Sequence, residues 1–250
     1  IRREAYVWIT LSHDNILSFE GITDDFGQLP ALVSLWMENG SLDVYLKNVF
    51  PSLSNLRKLE LVQQVAAGLS YLHGKGVVHG DLTATNIFVD DCGNLRLADF
   101  GLSMIAAESG NLTFGSLQSA NTRWMAPEFS SFPDNSDADE PQPSQKPNKT
   151  GDIYSFGCIG MQVRWIMIIS NSLPFLSWYK IFSGEEPYSW IKQAVHVITA
   201  ITRGREPFKR RVNIVIDEVY ELLSSRCLSK IPEQRPPIAE ITAIVGPFKL

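Results

Sequence analysis

The chain has 250 residues, a formal net charge of −5 and 44% hydrophobic residues. These values are typical of a globular protein with one large domain or two small ones. The charge balance lacks the basic excess that would indicate nucleic acid or an anionic membrane, so neither is an expected partner.

The three cysteines, Cys92, Cys158 and Cys227, are odd in number and show no CxxC spacing. This pattern argues against a zinc site or a disulfide framework and fits a reducing compartment, so we expect a cytoplasmic protein. The chain opens without methionine and without a recognisable signal peptide, which predicts a fragment or an incomplete gene model.

The first predicted elements are short. Apolar residues on one side predict the end of a helix over residues 4–11. Residues 16–22 and 31–36 are apolar runs that predict two strands, and an Asn-Gly pair at residues 39–40 then breaks the pattern.

A long amphipathic helix is predicted over residues 56–72, where apolar residues recur at spacings of three and four. Gly74 and Gly76 predict its end. Residues 87–89 and 95–98 are apolar runs around a Gly-Asn turn, which predicts a small hairpin.

The second half contains two polar segments. Small and polar residues predict a mobile loop over residues 103–122. Residues 130–149, rich in Asp, Pro, Ser and Gln, predict a flexible surface excursion. Beyond residue 152 the chain is predicted to be mostly helical.

One compact stretch offers the groups that phosphoryl transfer needs, namely a carboxylate near the attacking hydroxyl and oxygen ligands for metal ions. Asp81 and Asn86 belong to the pattern HxDxxxxN, which starts at His79. Asp81 is the candidate base or orienting group, and Asn86 is a candidate Mg²⁺ ligand. Asp99, at the far end of the hairpin, is the candidate ligand for the other Mg²⁺, because a hard cation prefers oxygen. The predicted metal ion is Mg²⁺.

Five motifs in the expected order resemble those of the eukaryotic protein kinase catalytic domain. Residues 79–86 (HGDLTATN) resemble its catalytic loop, and residues 97–102 (LADFGL) and 124–128 (WMAPE) resemble the two ends of its activation segment. Residues 152–157 (DIYSFG) and 232–236 (PEQRP) resemble its central helix and its late helix pair. The resemblance covers nearly the whole chain and has the character of the tyrosine-kinase-like group, as found in mushroom-forming fungi.

The resemblance implies an α+β, two-lobed protein-kinase-like fold with a mostly helical large lobe and an incomplete small lobe. Residues 1–36 would be the remnant of the small lobe from helix C onward, and residues 37–250 the hinge and the large lobe. The family's glycine-rich loop and ATP-binding lysine precede helix C. The sequence therefore predicts an N-terminally truncated kinase domain, which places the catalytic competence of these 250 residues in doubt.

The resemblance also assigns roles to single residues. Glu4 matches the helix-C glutamate that pairs with the ATP-binding lysine. Ser34 matches the gatekeeper, and the backbone of Leu35 and Met37 would meet the adenine edge. Four residues would form the family's stacked hydrophobic spine: Trp8, Phe19, His79 and Phe100.

Three further matches concern the large lobe. Glu128 and Arg235 match its buried ion pair. Asp152 would accept hydrogen bonds from the backbone around His79 and Gly80 and hold the catalytic loop rigid.

Two positions of the catalytic loop depart from the family pattern. Gly80 replaces the arginine that usually pairs with a phosphorylated activation-loop residue, so activation by loop phosphorylation is less expected. Thr83 stands where serine/threonine kinases usually carry a lysine, and Ala84 and Thr85 do not complete the tyrosine-kinase signature. Acceptor preference stays open, with serine and threonine favoured by the group resemblance.

Residues 163–180 (VRWIMIISNSLPFLSWYK) interrupt the predicted central helix. A membrane span is disfavoured because Arg164, Asn171 and Pro174 lie inside the segment. A helical insertion is an alternative. The preferred hypothesis is a retained short intron translated in frame, because Val-Arg and Lys at its ends can be encoded by donor-like and acceptor-like sequences.

The leading functional hypothesis is an ATP-dependent protein kinase that acts on a protein substrate. The alternative is a non-catalytic kinase-like (pseudokinase) binding module. A small-molecule kinase of the aminoglycoside or choline type shares the His-Gly-Asp-Leu motif, but it lacks the motifs at residues 124–128, 152–157 and 232–236.

Overall fold

The computed structural model describes residues 7–25, 27, 30–100, 122–130, 146–163, 185–208 and 218–246. Within them, six α-helices accompany two small antiparallel sheets, which agrees with the predicted α+β class. None of the helices in this part of the chain has the length and apolar character needed to cross a membrane.

The first sheet pairs β1 (Phe19–Thr23) with β2 (Ala31–Ser34). Both strands are shorter than predicted. β1 begins later because the apolar run at residues 16–22 is divided between two sheets. Ile16 bridges to Leu97, and the backbone N–H of Leu17 donates to the Leu97 carbonyl at 2.9 Å. Residues 7–9 are helical, as predicted for this position.

Two capped helices follow the first sheet. The sequence analysis did not predict α1 (Leu42–Val49), which begins after Ser41, whose hydroxyl accepts from the Val44 N–H. The predicted long helix is confirmed as α2 (Asn55–Gly74). The Ser54 hydroxyl caps it by accepting from the Arg57 N–H at 3.1 Å, as serine at an N-cap typically does.

The predicted hairpin is confirmed. β3 (Ile87–Val89) pairs with β4 (Leu95–Leu97) in antiparallel register, with Ile87 opposite Leu97. β4 ends one residue earlier than predicted, and the next N–H, of Ala98, donates to the Asn86 carbonyl at 2.9 Å. The hairpin therefore returns the chain to the catalytic loop.

The C-terminal part is helical, as predicted. α3 (Lys149–Val163) is buried on most of its surface, in keeping with a central helix. It packs against α2 and against α5 (Glu218–Cys227), while α6 (Ile238–Val245) packs on α2. α4 (Ala194–Thr202) lies against the short 3-10 helix Thr122–Trp124.

Several predictions concern residues that the structure does not describe. Glu4, most of the predicted loop at residues 103–122 and most of the proposed insertion, residues 164–180, lie outside the described residues. Thr122, the last residue of that loop, is buried and begins a short 3-10 helix. The proposed excursion at residues 130–149 is described only at its ends. There Ser130 is buried and Lys149 begins α3, so both ends belong to the folded body and not to a flexible segment.

Candidate active site

Asp81 and Asn86 are held together within the catalytic loop. The Asn86 side-chain Nδ2 donates to both the carbonyl and the carboxylate Oδ2 of Asp81, each at 2.9 Å. Asn86 is buried, so its amide has one defined orientation. With Nδ2 committed to Asp81, the Oδ1 atom of Asn86 is the one left to accept a cation.

Asp152, at the start of α3, is hydrogen-bonded to the backbone of the catalytic loop. Its two carboxylate oxygens accept from the backbone N–H of His79 at 2.9 Å and of Gly80 at 2.8 Å, which confirms the predicted hydrogen bonds. The His73 side chain, at the end of α2, adds a contact of 2.8 Å between Nε2 and Asp152 Oδ2. The carboxylate is 2% exposed, and several hydrogen bonds therefore offset the cost of its burial.

Asp99 lies two residues after the end of β4 and one residue beyond the contact between Ala98 and Asn86. Its φ of +54° is unusual for a non-glycine residue, and such conformations often occur at functional sites. The side chain reaches solvent, but the surrounding protein removes enough water to raise the pKa of its carboxyl. A bound cation would oppose this rise, because it favours the charged carboxylate.

Aromatic rings connect β1 to the catalytic loop, as the predicted spine requires. Trp8 lies 5.3 Å from Phe19 and 6.1 Å from Phe100, measured between ring centroids. Phe100 lies 6.2 Å from His79 in an edge-on contact. The four rings thus form one continuous series of contacts from β1 to His79, two positions before Asp81.

His79 is fully buried, and burial lowers the pKa of its imidazole to about 4. The ring is therefore neutral at pH 7. Its Nδ1 accepts a long hydrogen bond of 3.4 Å from the Asp81 N–H, which assigns the proton to Nε2. A neutral His79 adds no charge beside Asp81.

The predicted adenine-facing segment leaves β2 at Ser34. Leu35 is 56% exposed, and Met37 is partly buried against the main core. The Met37 carbonyl accepts from the Gly40 N–H at 3.0 Å, which turns the chain toward α1. Ser34, Leu35 and Met37 therefore lie on an accessible connection between the first sheet and the helical part.

A cleft beside Asp81 is open to solvent and encloses about 360 Å³, including the solvent at its mouth. Its walls are the catalytic loop, the segment after the Thr122–Trp124 turn and the first residues of α3. The Ser155 hydroxyl fixes one wall by donating to the Trp124 carbonyl at 2.9 Å. The lining residues are Gly80, Asp81, Leu82, Thr83, Trp124, Met125, Ala126, Phe129, Pro147, Asn148, Gly151, Asp152 and Ser155.

Gly80 has a φ of +78°, so the departure from the family's arginine is matched by a left-handed backbone. We expect Gly80→Ala to lower the free energy of unfolding by about 1–2 kcal/mol, because a Cβ clashes with the following carbonyl in this conformation. Chemical denaturation measures the change. Gly74→Ala is the control, since Gly74 is helical with no atom within 4 Å of an added Cβ, and it should stabilise by about 0.5–1 kcal/mol. Equal effects of the two substitutions would contradict the prediction.

Two residues of this region, His73 and Arg123, were not predicted from the sequence. His73 closes the apolar pattern of α2, and only its position under Asp152 reveals a polar role. Arg123 directly precedes the WMAPE motif, and its contacts are with residues more than 60 positions away. An arginine inside an otherwise small and apolar segment was the available signal.

The sequence model of one family, protein tyrosine and serine/threonine kinase, matches residues 1–164. The match covers more than half of the chain and includes the catalytic loop, Asp99, the WMAPE motif and the start of α3. It agrees with the hydrogen-bonded pair of Asp81 and Asn86 and with the anchoring by Asp152. The chain therefore belongs to the protein tyrosine and serine/threonine kinase family.

Proposed function

We propose that the protein transfers the γ-phosphoryl group of MgATP to a hydroxyl of a protein substrate, with serine or threonine favoured over tyrosine. The observation that carries the proposal is the bond between Asn86 Nδ2 and Asp81 Oδ2. It orients a carboxylate at the edge of an open cleft and leaves the Asn86 oxygen for a cation in the same loop.

The residues present fit a magnesium-bound nucleotide. Asn86 and Asp99 would hold the metal, because both offer oxygen atoms. The hydrogen bond from the Ala98 N–H to the Asn86 carbonyl links the backbone next to Asp99 to that of Asn86. The connection from Ser34 to Met37 would meet the adenine. When bound, MgATP supplies the transferable phosphoryl group and a cation that neutralises its charge.

Asp81 would orient the acceptor hydroxyl and accept its proton. Asp81 lines the cleft, which is open to the solvent from which a substrate side chain would enter. The bonds from Asn86 restrict the Asp81 carboxylate to one position, and the bonds from His79 and Gly80 to Asp152 restrict the backbone. Such pre-orientation lowers the barrier because it is in place before the substrate binds.

Thr83 does not replace the lysine of serine/threonine kinases. It is 1% exposed, its hydroxyl contacts the Thr85 hydroxyl at 2.7 Å, and it accepts from the Asn86 N–H at 3.3 Å. Thr83 therefore shapes the loop from within and supplies no positive charge. The preference for serine and threonine rests on the resemblance to the tyrosine-kinase-like group.

The proposal includes the family's two-lobed arrangement, with the nucleotide bound between residues 1–36 and residues 37–250. It also includes a cytoplasmic location and a protein as the sole class of macromolecular partner. The three cysteines are free, in keeping with a reducing compartment.

A thermal shift assay on the full-length protein tests the proposal. We expect MgATP at 100 times its Kd to stabilise the protein by about 2.7 kcal/mol. Asp99→Ala should lose this stabilisation, because it removes a metal ligand. Asp81→Asn should keep it, yet lower phosphotransfer by about 10²–10⁴-fold, as expected for loss of a catalytic base.

Asp91→Ala is the matched control, because Asp91 is an exposed acid in the turn of the nearby hairpin and should leave binding and transfer unchanged. A full-length wild type without a MgATP-dependent shift would contradict the proposal. Binding of MgATP without transfer to any serine, threonine or tyrosine peptide would instead support the binding-module alternative.

A further inference from the structure

Arg123 holds together two segments that are distant in sequence. It lies in the turn Thr122–Trp124, and its guanidinium Nη1 donates to the carbonyls of Pro187 at 3.1 Å and Tyr188 at 2.6 Å. Its Nη2 donates to the Ile191 carbonyl at 2.7 Å. One side chain thus satisfies three backbone acceptors of a single loop.

The fourth contact of Arg123 is electrostatic, with 3.3 Å between its Nε and the Glu186 carboxylate. The guanidinium side chain is only 15% exposed, so these bonds are shielded from water. Charge-assisted hydrogen bonds in such surroundings are stronger than those between neutral groups. A planar fork with donors on all three nitrogens can make this set of contacts, whereas a lysine ammonium cannot.

The loop that receives Arg123 is itself fixed. Tyr188 is fully buried with a φ of +54°, a backbone conformation that costs a bulky residue about 1–3 kcal/mol. Its N–H donates to the Pro207 carbonyl at 2.8 Å, and its hydroxyl donates to the Arg205 carbonyl at 2.9 Å. These bonds keep the Tyr188 carbonyl turned toward Arg123.

Arg123 also directly precedes, in the chain, one wall of the cleft beside Asp81. Trp124 and Met125, the next two residues, line the cleft together with Asp81. The Met125 N–H donates to the Thr122 carbonyl at 3.2 Å, so the turn that carries Arg123 also sets the direction of the wall. A shift of Arg123 would move this wall relative to Asp81.

We propose that Arg123 is a positioning residue for the protein substrate, which sets the distance between the Trp124–Met125 wall and Asp81. This inference rests on the proposed kinase function. The candidate ligands of the nucleotide are other residues, namely Asn86, Asp99 and the backbone near Leu35. Loss of Arg123 should therefore weaken binding of the peptide and leave binding of MgATP unchanged.

Steady-state kinetics of Arg123→Lys test the inference, with MgATP and the best-phosphorylated peptide of a serine, threonine and tyrosine peptide library. We expect the KM for the peptide to rise about tenfold or more, which corresponds to about 1.4 kcal/mol. The reason is that a lysine cannot make all the hydrogen bonds that hold the Trp124–Met125 wall in place. The KM for MgATP and the MgATP-dependent thermal shift should stay at their wild-type values. Hydrogen exchange should become faster in residues 185–191 and at the Met125 amide.

Arg57→Lys is the matched control. Arg57 also joins distant segments, since it donates to the Gly93 carbonyl at 2.6 Å and to Glu60 at 2.8 Å, but it does not line the cleft. We expect local faster exchange there and no change in the peptide KM.

Two outcomes would overturn the inference: an unchanged peptide KM in Arg123→Lys, or an equal rise in the KM for MgATP. Failure of the proposed function is distinguishable, because it requires a wild type that neither binds MgATP nor transfers phosphate. In that case the substrate role of Arg123 would fall with it, and the exchange data would show only a structural clamp.

Discussion

Glu128→Ala is expected to lower the free energy of unfolding by about 3–5 kcal/mol, as is usual when one partner of a buried ion pair is removed. Arg235, the predicted partner, contacts the two carboxylate oxygens of Glu128 at 2.5 Å and 2.7 Å. The Arg235 side chain is 0% exposed and that of Glu128 is 8% exposed. Removal of the carboxylate would leave a buried guanidinium charge without a counter-ion.

The remaining contacts of Arg235 cannot replace that carboxylate. Its Nε donates to the Ser229 carbonyl at 2.9 Å, its Nη1 to the Thr150 carbonyl at 3.0 Å, and its charge lies 5.1 Å from the Tyr154 ring centroid. These groups offer partial charges and a ring quadrupole, which solvate the cation without neutralising it. Chemical denaturation of Glu128→Ala should therefore show the full loss of about 3–5 kcal/mol in the free energy of unfolding.

The chain offers a matched control for this experiment. Arg226 and Glu240 also form a two-bond pair, but both side chains are 38% exposed. Glu240→Ala should have a much smaller effect, because water solvates the arginine that remains.

A double variant, Glu128→Leu with Arg235→Met, separates burial of the charge from loss of attraction. It should cost less than the sum of the single substitutions, since neither charge is then stranded. Additive losses would show that the two side chains act independently, contrary to the geometry.

The sequence alone predicts the elements whose signals are local. The three-and-four spacing of α2 is a property of one continuous segment, and so are the two apolar runs and the turn of the hairpin. α1 was also locally signalled, because Ser41 stands directly before it as a capping residue. Leu42, Leu46 and Val49 also recur at spacings of four and three, but a segment of eight residues is too short for this pattern to identify a helix.

The division of residues 16–22 could not be predicted in this way. Ile16 and Leu17 bind to Leu97, about 80 positions later, although they resemble the start of β1. Alternation along a strand does not identify its partner. The same limit applies to the second predicted strand, which ends at Ser34 although the apolar run continues to Trp36, which is 81% exposed.

The candidate site was predictable mainly through resemblance to a family. Composition and spacing suggest that Asp81 and Asn86 share a loop, but they do not orient the Asn86 amide or place Asp152 beneath it. The pairing of Glu128 with Arg235 spans 107 positions, and no local signal contains it. The contacts of His73 and Arg123 depend on the assembled helices and became visible only in the structure.

Asp152→Ala is expected to cost about 3–5 kcal/mol of unfolding free energy and to lower kcat by about a hundredfold. The stability loss follows because the backbone N–H groups of His79 and Gly80 and the His73 ring would all lose a buried acceptor. The loss of rate follows because the loop that carries Asp81 would lose its hydrogen bonds to Asp152. A misplacement of the catalytic group by about 1 Å can have this effect.

Asp152→Asn refines the prediction. The asparagine amide has a similar shape but one acceptor oxygen, and its NH₂ group would face at least one of the N–H donors that the carboxylate now satisfies. We therefore expect a stability loss between those of wild type and Asp152→Ala. Chemical denaturation and kcat, measured at saturating MgATP and peptide, give the two quantities separately.

Glu240→Gln serves as the control, because Glu240 pairs with Arg226 and both side chains are 38% exposed. Exposed pairs of this kind contribute little, so stability and kcat should both stay near their wild-type values. A kcat that survives in Asp152→Ala, while the protein is destabilised as expected, would show that Asp152 stabilises the fold without positioning Asp81. Loss of kcat in Asp152→Asn at a temperature where that variant is fully folded would show that Asp152 does position Asp81, since residual unfolding could not explain it.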